Sequence, residues 1–283
     1  MDDNAHHSGY VKMTSSISML EINKIHQGDC IEIMKNIDDK SVDVILCDLP
    51  YGVTNRNKWD RIIPIDLLWK EYKRILKEKG IIILTATQPF ASRLIMSNLE
   101  MFRYDLIWEK PLATGFLNAN RMPLRNHESI LVFYNSLPIY NPQNTEGKPY
   151  KMVRRSDSTD YGEVKNLHQE TNNVDGKRFP KSVIKFSSDK EKIHPTQKPL
   201  ALFEYLILTY SEKNALVLDN CMGSGTTAVA CLNLNRNFIG IELEQKYVDI
   251  GNQRIMEVKS GCNANDDGIP PNNKLLGILP NEL

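Results

Sequence analysis

The sequence predicts an α/β fold with a doubly wound, mostly parallel sheet, and three observations carry the prediction. Apolar runs of strand length alternate with amphipathic stretches of helix length. A glycine-rich segment, GSGTTA (223–228), directly follows one such run and opens a helix. Two further runs end on an acid, Asp48 and Glu242, and the carboxyl ends of parallel strands are where ligands gather in open α/β sheets.

Taken in order, residues 1–18 are polar, Ser-rich and aperiodic, and read as a disordered tail. From residue 19 the chain reads as a short strand, a turn at Gly28-Asp29, a short helix, and a buried strand over Val42–Cys47. Leu68, Tyr72, Ile75 and Leu76 recur at helical spacing, with Gly80 as the expected stop. IIILT (81–85) is the next strand, Pro89 and Phe90 start a helix, and RYDLIWEK and HESILVFY are two more strands. PLALFEYLILTYS reads as a helix, and ALVLDNCMGSGTTAVACLNLNRNFIGIEL as strand, glycine loop, helix and strand. The stretch 259–283 reads as a polar tail.

Residues 138–192 differ in character. They lack aliphatic runs, and 148–192 hold eleven Lys and Arg against seven Asp and Glu. A structureless loop of that length inside a compact domain is unusual, so an inserted functional module is expected between a first half (19–137) and a second half (193–258).

Composition bounds the function. The chain has 283 residues, 41% hydrophobic and 25% charged, with a formal net charge of zero. A packed core follows, and any nucleic-acid footprint must be local. The five cysteines show no C-x-x-C pair or zinc spacing, so reduced, mostly buried thiols and no metal site are expected. No run approaches membrane-spanning length, which points to a soluble cytoplasmic protein with no membrane partner.

Gly223, Gly225 and Ala228 form G-x-G-x-x-A, where the chain must turn sharply and a ligand approaches bare backbone. Glu242 ends the following strand, 23 residues after Asp219, about where a ribose-binding acid falls. A nucleoside-containing ligand is therefore expected. With Asp219 before the loop and no basic residue within it, a cationic ligand suits it better than a pyrophosphate. The segment CDLPYGVT (47–54) is the other signal: a buried strand delivers a carboxylate (Asp48), a stiff bend (Pro50) and a flat ring (Tyr51) to its carboxyl end.

Together these stretches resemble the amino-group DNA methyltransferases that use S-adenosylmethionine. DLPY (48–51) is similar to their catalytic D-P-P-Y tetrad, and DNCMGSGTT (219–227) to their cofactor loop. HPTQKP (194–199) and GDC (28–30) resemble two further motifs, and RNHESILVFYN and RFPKSVIKF also look like family stretches. The tetrad precedes the cofactor loop, as in the permuted beta group, where the target-recognition region lies between them. Two departures stand out: Leu49 replaces the first proline of the tetrad, and Asn220-Cys221 replace Pro-Phe in the loop.

The resemblance implies a Rossmann-like fold with an inserted target-recognition region, S-adenosylmethionine as cofactor, and double-stranded DNA as partner. A homodimer, a cognate restriction endonuclease and a nucleoid-associated location are further expectations. The implied reaction is methyl transfer to the N6 amine of a flipped-out adenine. Alternatives are cytosine N4, for which serine more often stands in place of Asp48, then an RNA adenine or a nucleotide-dependent oxidation. Asp48 and the Leu49 carbonyl would accept the amine protons, Pro50 would stiffen the bend, and Tyr51 would stack on the base. The cofactor would meet Asp29, Cys30, Asp219, Met222, Gly223, Ser224, Gly225, Thr226 and Glu242, with Thr196 and Lys198 at its methionine carboxylate. Arg154, Arg155, Lys177, Arg178 and Lys181 are candidates for DNA phosphates. His194 reads as a turn residue.

Overall fold

A computed structural model describes residues 20–52, 62–155, 168–189 and 197–262. The expected tail 1–18 and residues 263–283 lie outside them.

Among the described residues the elements run β1 (Lys24–Gln27), α1 (Cys30–Met34), β2 (Val42–Asp48), α2 (Ile65–Ile75), β3 (Leu76–Ala86), α3 (Phe90–Ser97), β4 (Phe102–Thr114) and β5 (Arg125–Phe133). There follow β6 (Tyr150–Arg155), β7 (His168–Asn173), β8 (Val183–Lys185), α4 (Leu200–Tyr210), β9 (Leu216–Asp219), α5 (Thr226–Asn233), β10 (Asn237–Glu242) and α6 (Gln245–Cys262).

The main sheet has the order β1-β10-β9-β2-β3-β5-β4-β8, parallel except for β5. Strand side chains alternate between two cores. Ile45, Cys47, Ile82, Leu84 and Leu218 pack with α1–α3 on one face. Val44, Leu46, Ile81, Ile83 and Val217 pack with α4–α6 on the other. That double covering explains why these strands read as continuous apolar runs.

After β9 the chain crosses through α5 to β10 on one side; after β2 it crosses through α2 to β3 on the other. The β9–β2 seam, with Val44 beside Val217 and Ile45 beside Leu218, is therefore the point where the winding reverses. Open α/β sheets bind ligands at the carboxyl end of such a seam.

Three expectations are corrected. Gly80 does not stop α2, which already hands over to β3 at Leu76. Within β3 a Cβ at Gly80 would lie 2.7 Å from the Leu76 side chain and 3.0 Å from the Asp43 carbonyl, so the glycine permits a close approach. The polar stretch from 259 is helical as far as Cys262, because α6 runs through it. Within 138–192, β6 and β7 form a separate antiparallel hairpin, but β8 joins the main sheet beside β4.

Candidate active site

Asp48 ends β2 at the seam, and among the described residues the donors to its carboxylate are all side chains. Tyr51 donates its hydroxyl to Oδ1 at 2.6 Å, and the Thr85 hydroxyl of β3 donates to the same oxygen. Lys198 donates to Oδ2 at 2.6 Å. A carboxylate has about four acceptor positions, so one remains, on Oδ2. Leu49 is buried in the core, which anchors the chain as it leaves the strand. The Tyr51 ring lies 5.6 Å from Phe90, tilted by 37°, and the Lys198 ammonium sits 5.7 Å from its centroid. Burial, and next the Asp48 charge, push the Tyr51 phenol well above its usual range, so it stays a hydroxyl donor.

Lys198, expected at the cofactor, thus reaches the Asp48 carboxylate. It precedes α4, whose first turn is capped from a distance: Asp189 accepts from the Leu200 amide at 3.2 Å and from Gln197 Nε2 at 2.9 Å. Burial disfavours the Lys198 charge, but the Asp48 and Glu128 carboxylates more than offset it and hold the ammonium well above the ordinary lysine range. Thr196 and His194 lie outside the described residues.

The glycine loop follows β9. Gly223 (φ +53°) and Gly225 (φ +84°) both occupy the left-handed region, where a side chain is strained. A Cβ on Gly223 would meet nothing within 4 Å, so the backbone there is open to a ligand. On Gly225 it would lie 2.9 Å from the Gly251 Cα, which lets α5 and α6 pack closely. Two carboxylates brace the loop. Glu242 accepts from the Gly223 amide at 2.8 Å and from Glu244 N at 2.9 Å. Asp219 accepts from Cys221 N at 3.0 Å and from the Thr227 hydroxyl. Burial raises Asp219 to about 6, against the pull of those hydrogen bonds, and also raises Glu242.

Other sequence candidates fall into place differently. Asp29 caps α1, accepting from Ile31 N at 2.9 Å and Glu32 N at 3.2 Å, while remaining exposed. Cys30 is buried and interacts with the Cys221 thiol, which also meets Cys47. Met222 is corrected: its side chain is buried beneath Gly240 in the core. Ser224 and Thr226 are buried, and the Ser224 carbonyl accepts from Arg254 at 2.7 Å. The unusual Asn220 accepts the hydroxyl of Tyr72 on α2 at 2.5 Å, tying the loop to the other half.

In the basic module, Lys177 and Lys181 are exposed. Arg178 is reassigned: it donates to the Gly176 and Lys148 carbonyls and lies 4.5 Å over the Tyr150 ring, so it clamps the base of the β6–β7 hairpin. Arg154 and Arg155 belong to β6, but their side chains lie outside the described residues. Sequence reasoning missed Thr85, Glu128 and Lys110. Glu128 faces Lys198 at 3.3 Å and accepts from Lys110 at 2.9 Å. Its place in RNHESILVFYN, an acid within an apolar strand, was the available signal. Among the described residues no cluster could hold a metal ion, and no helix is long and apolar enough to cross a membrane.

Comparison with known proteins places this geometry in context. A family model for N6/N4 methyltransferases, described as DNA methylase, matches residues 42–253. The Type II methyltransferase M.HinfI of Haemophilus influenzae is 33% identical over 283 residues, spanning 86% of this chain and 70% of that one. M1.MboII of Moraxella bovis, another Type II methyltransferase, is 32% identical over 255 residues, spanning 83% and 96%. Among solved structures, the M1.HpyAVI–SAM complex superposes with a TM-score of 0.55 at 26% identity, covering 82% of this chain and 98% of that one. The cytosine-N4-specific PvuII DNA methyltransferase shares the fold, with a TM-score of 0.59 at 14% identity over 87% of this chain and 93% of that one.

Proposed function

We propose how this chain, which belongs to the N6/N4 family of DNA methylases, uses its site: it moves a methyl group from S-adenosylmethionine to the N6 amine of an adenine flipped out of duplex DNA. One observation carries the reading. At a single strand seam, a carboxylate with one acceptor position left stands beside a glycine loop whose backbone is open at Gly223.

The residues present fit the cofactor. The open side of Gly223 is a cradle that a Cβ would fill, and Glu242 keeps acceptor capacity for ribose hydroxyls beyond the two amides it holds. Asp219 supplies negative charge behind the loop for a ligand ammonium, and Asp29, the cap of α1, would take the adenine amine. When bound, S-adenosylmethionine supplies an electrophilic methyl group.

The chain's own work is to make a poor nucleophile attack. An exocyclic amine is weakly nucleophilic because its lone pair is delocalised into the ring. Asp48 Oδ2 and the Leu49 carbonyl accept its two N–H bonds and draw the nitrogen toward tetrahedral geometry. Tyr51 fixes the carboxylate through its hydroxyl and presents its ring to the base. Catalysis then rests on orientation and electrostatics, without a covalent enzyme intermediate. Extruding the base costs a few kcal/mol, which DNA contacts from the basic module must offset.

The test is transfer of labelled methyl groups into duplex DNA, with the product nucleosides identified after digestion. N6-methyladenine is expected; N4-methylcytosine would move the target to cytosine, and absence of label from any DNA would overturn the reading.

A further inference from the structure

We propose that Lys198 is a positioning residue for the catalytic carboxylate, held there by a buried row of alternating charge, and is not part of the cofactor pocket. The inference rests on the methyl-transfer reading above and adds to it the residues that aim Asp48.

The row runs Lys110, Glu128, Lys198, Asp48. Successive charged atoms lie 2.9, 3.3 and 2.6 Å apart. The side chains are 16%, 12%, 8% and 24% exposed, so each inner charge is largely withdrawn from water. Such burial is tolerated only where each charge faces opposite ones, and the row as a whole is neutral. The ammonium of Lys198 stands between two carboxylates but treats them differently. It donates a hydrogen bond to Asp48, whereas buried Glu128 Oε2 makes no hydrogen bond and acts on it through charge alone. Lys110 in turn fixes Glu128 by bonding its other oxygen.

This asymmetry sets the geometry of the acceptor. With Tyr51 and Thr85 on Oδ1 and Lys198 on Oδ2, the carboxylate plane is fixed on both sides, and one direction on Oδ2 is left for an amine proton. The lysine backbone is itself pinned, since Asp189 grips Gln197 and Leu200 on either side of it. Removing the ammonium would leave Asp48 held through Oδ1 alone and facing Glu128 with no cation between them.

Among the described residues, the charged and titratable groups around Asp48 are Tyr51 beyond β2, Cys47 within it, Lys198 before α4, Glu128 on β5 behind that lysine, and Asp219 at the end of β9. Lys198 is the cation among these.

The experiment uses the full chain, with transfer by the unaltered protein established first, so that failure of the methyl-transfer reading is seen separately. Lys198→Met is expected to lower kcat by about 100-fold, the scale of losing one organising electrostatic contact. Cofactor affinity, measured by calorimetry without DNA, should stay within about twofold. Adding Glu128→Gln removes the uncompensated acid, and the double variant is expected to regain about tenfold in kcat over Lys198→Met, as coupled neighbours do. A loss of cofactor affinity matching the loss of kcat would return Lys198 to the cofactor pocket and overturn the proposal, as would an unchanged kcat. Should Lys198→Met fail to fold, Glu128→Gln alone decides: kcat should fall several-fold with calorimetric cofactor affinity unchanged, and an unchanged kcat overturns the row as an electrostatic unit.

Discussion

The two sides of the strand seam hold their acids in opposite ways. On the glycine-loop side, Asp219 and Glu242 accept from backbone amides at Cys221, Gly223 and Glu244. Those donors cannot leave without unfolding the turn, so the carboxylates act as struts. On the other side Asp48 accepts from Tyr51, Thr85 and Lys198, all side chains, which can rotate or share. A pocket for a ligand of fixed shape suits the first arrangement. An acceptor that must receive a proton donor arriving from outside suits the second.

The largest effect separating the two sides should come from Asp48→Ala. Transfer is expected to fall about 1,000-fold or more, with calorimetric cofactor affinity nearly unchanged. A variant that keeps its turnover would break the contrast. Next is Asp219, whose burial lifts it from 3.8 to about 6. A carboxyl raised in the folded state binds its proton more tightly there than when unfolded. Stability therefore falls as pH rises from near 4 to near 6, by roughly 3 kcal/mol from this group, and the loss persists above that range. Denaturation midpoints across this interval should show the fall, and Asp219→Asn should flatten it.

Glu242→Ala strands two loop amides, which should weaken cofactor binding roughly tenfold and cost about 1–3 kcal/mol in chemical denaturation. Gly225→Ala forces a side chain into φ +84° and against Gly251, so a loss of about 2 kcal/mol in thermal unfolding is expected, with Asp48 geometry intact. The smallest effects lie in the hairpin. Lys181→Ala should reduce the salt slope of DNA binding by about 1, whereas Arg178→Ala should lower hairpin stability and leave that slope alone.

What could be read along the chain was whatever has a local period or a local bend. The strand ending in Asp48, the glycine loop and the helix from Leu200 are short-range patterns, and the structure has all three. Helix α6 escaped because its buried face is carried by Val248, Gly251 and Ile255, and a glycine leaves no apolar mark at the middle position. Lys198 was placed with the cofactor on motif alone. Its partner Asp48 is 150 residues away, a distance that only the sheet order closes. Arg178 likewise looked available for phosphate because charge is visible in a sequence while the carbonyls it binds, at Lys148 and Gly176, are not.

The strand order has a consequence for how the molecule comes into being. Among the described strands β1 pairs only with β10, and one edge of β2 is closed by β9. A nascent chain emerging from the ribosome thus carries its first strand without a neighbour, and the central one half-paired, until residues 216–242 have been made. Synthesis proceeds at about 5–20 residues per second, so those edges wait some ten seconds or more, open to wrong pairing. A chain that ends before residue 216 lacks both the glycine loop and the strand that closes β2.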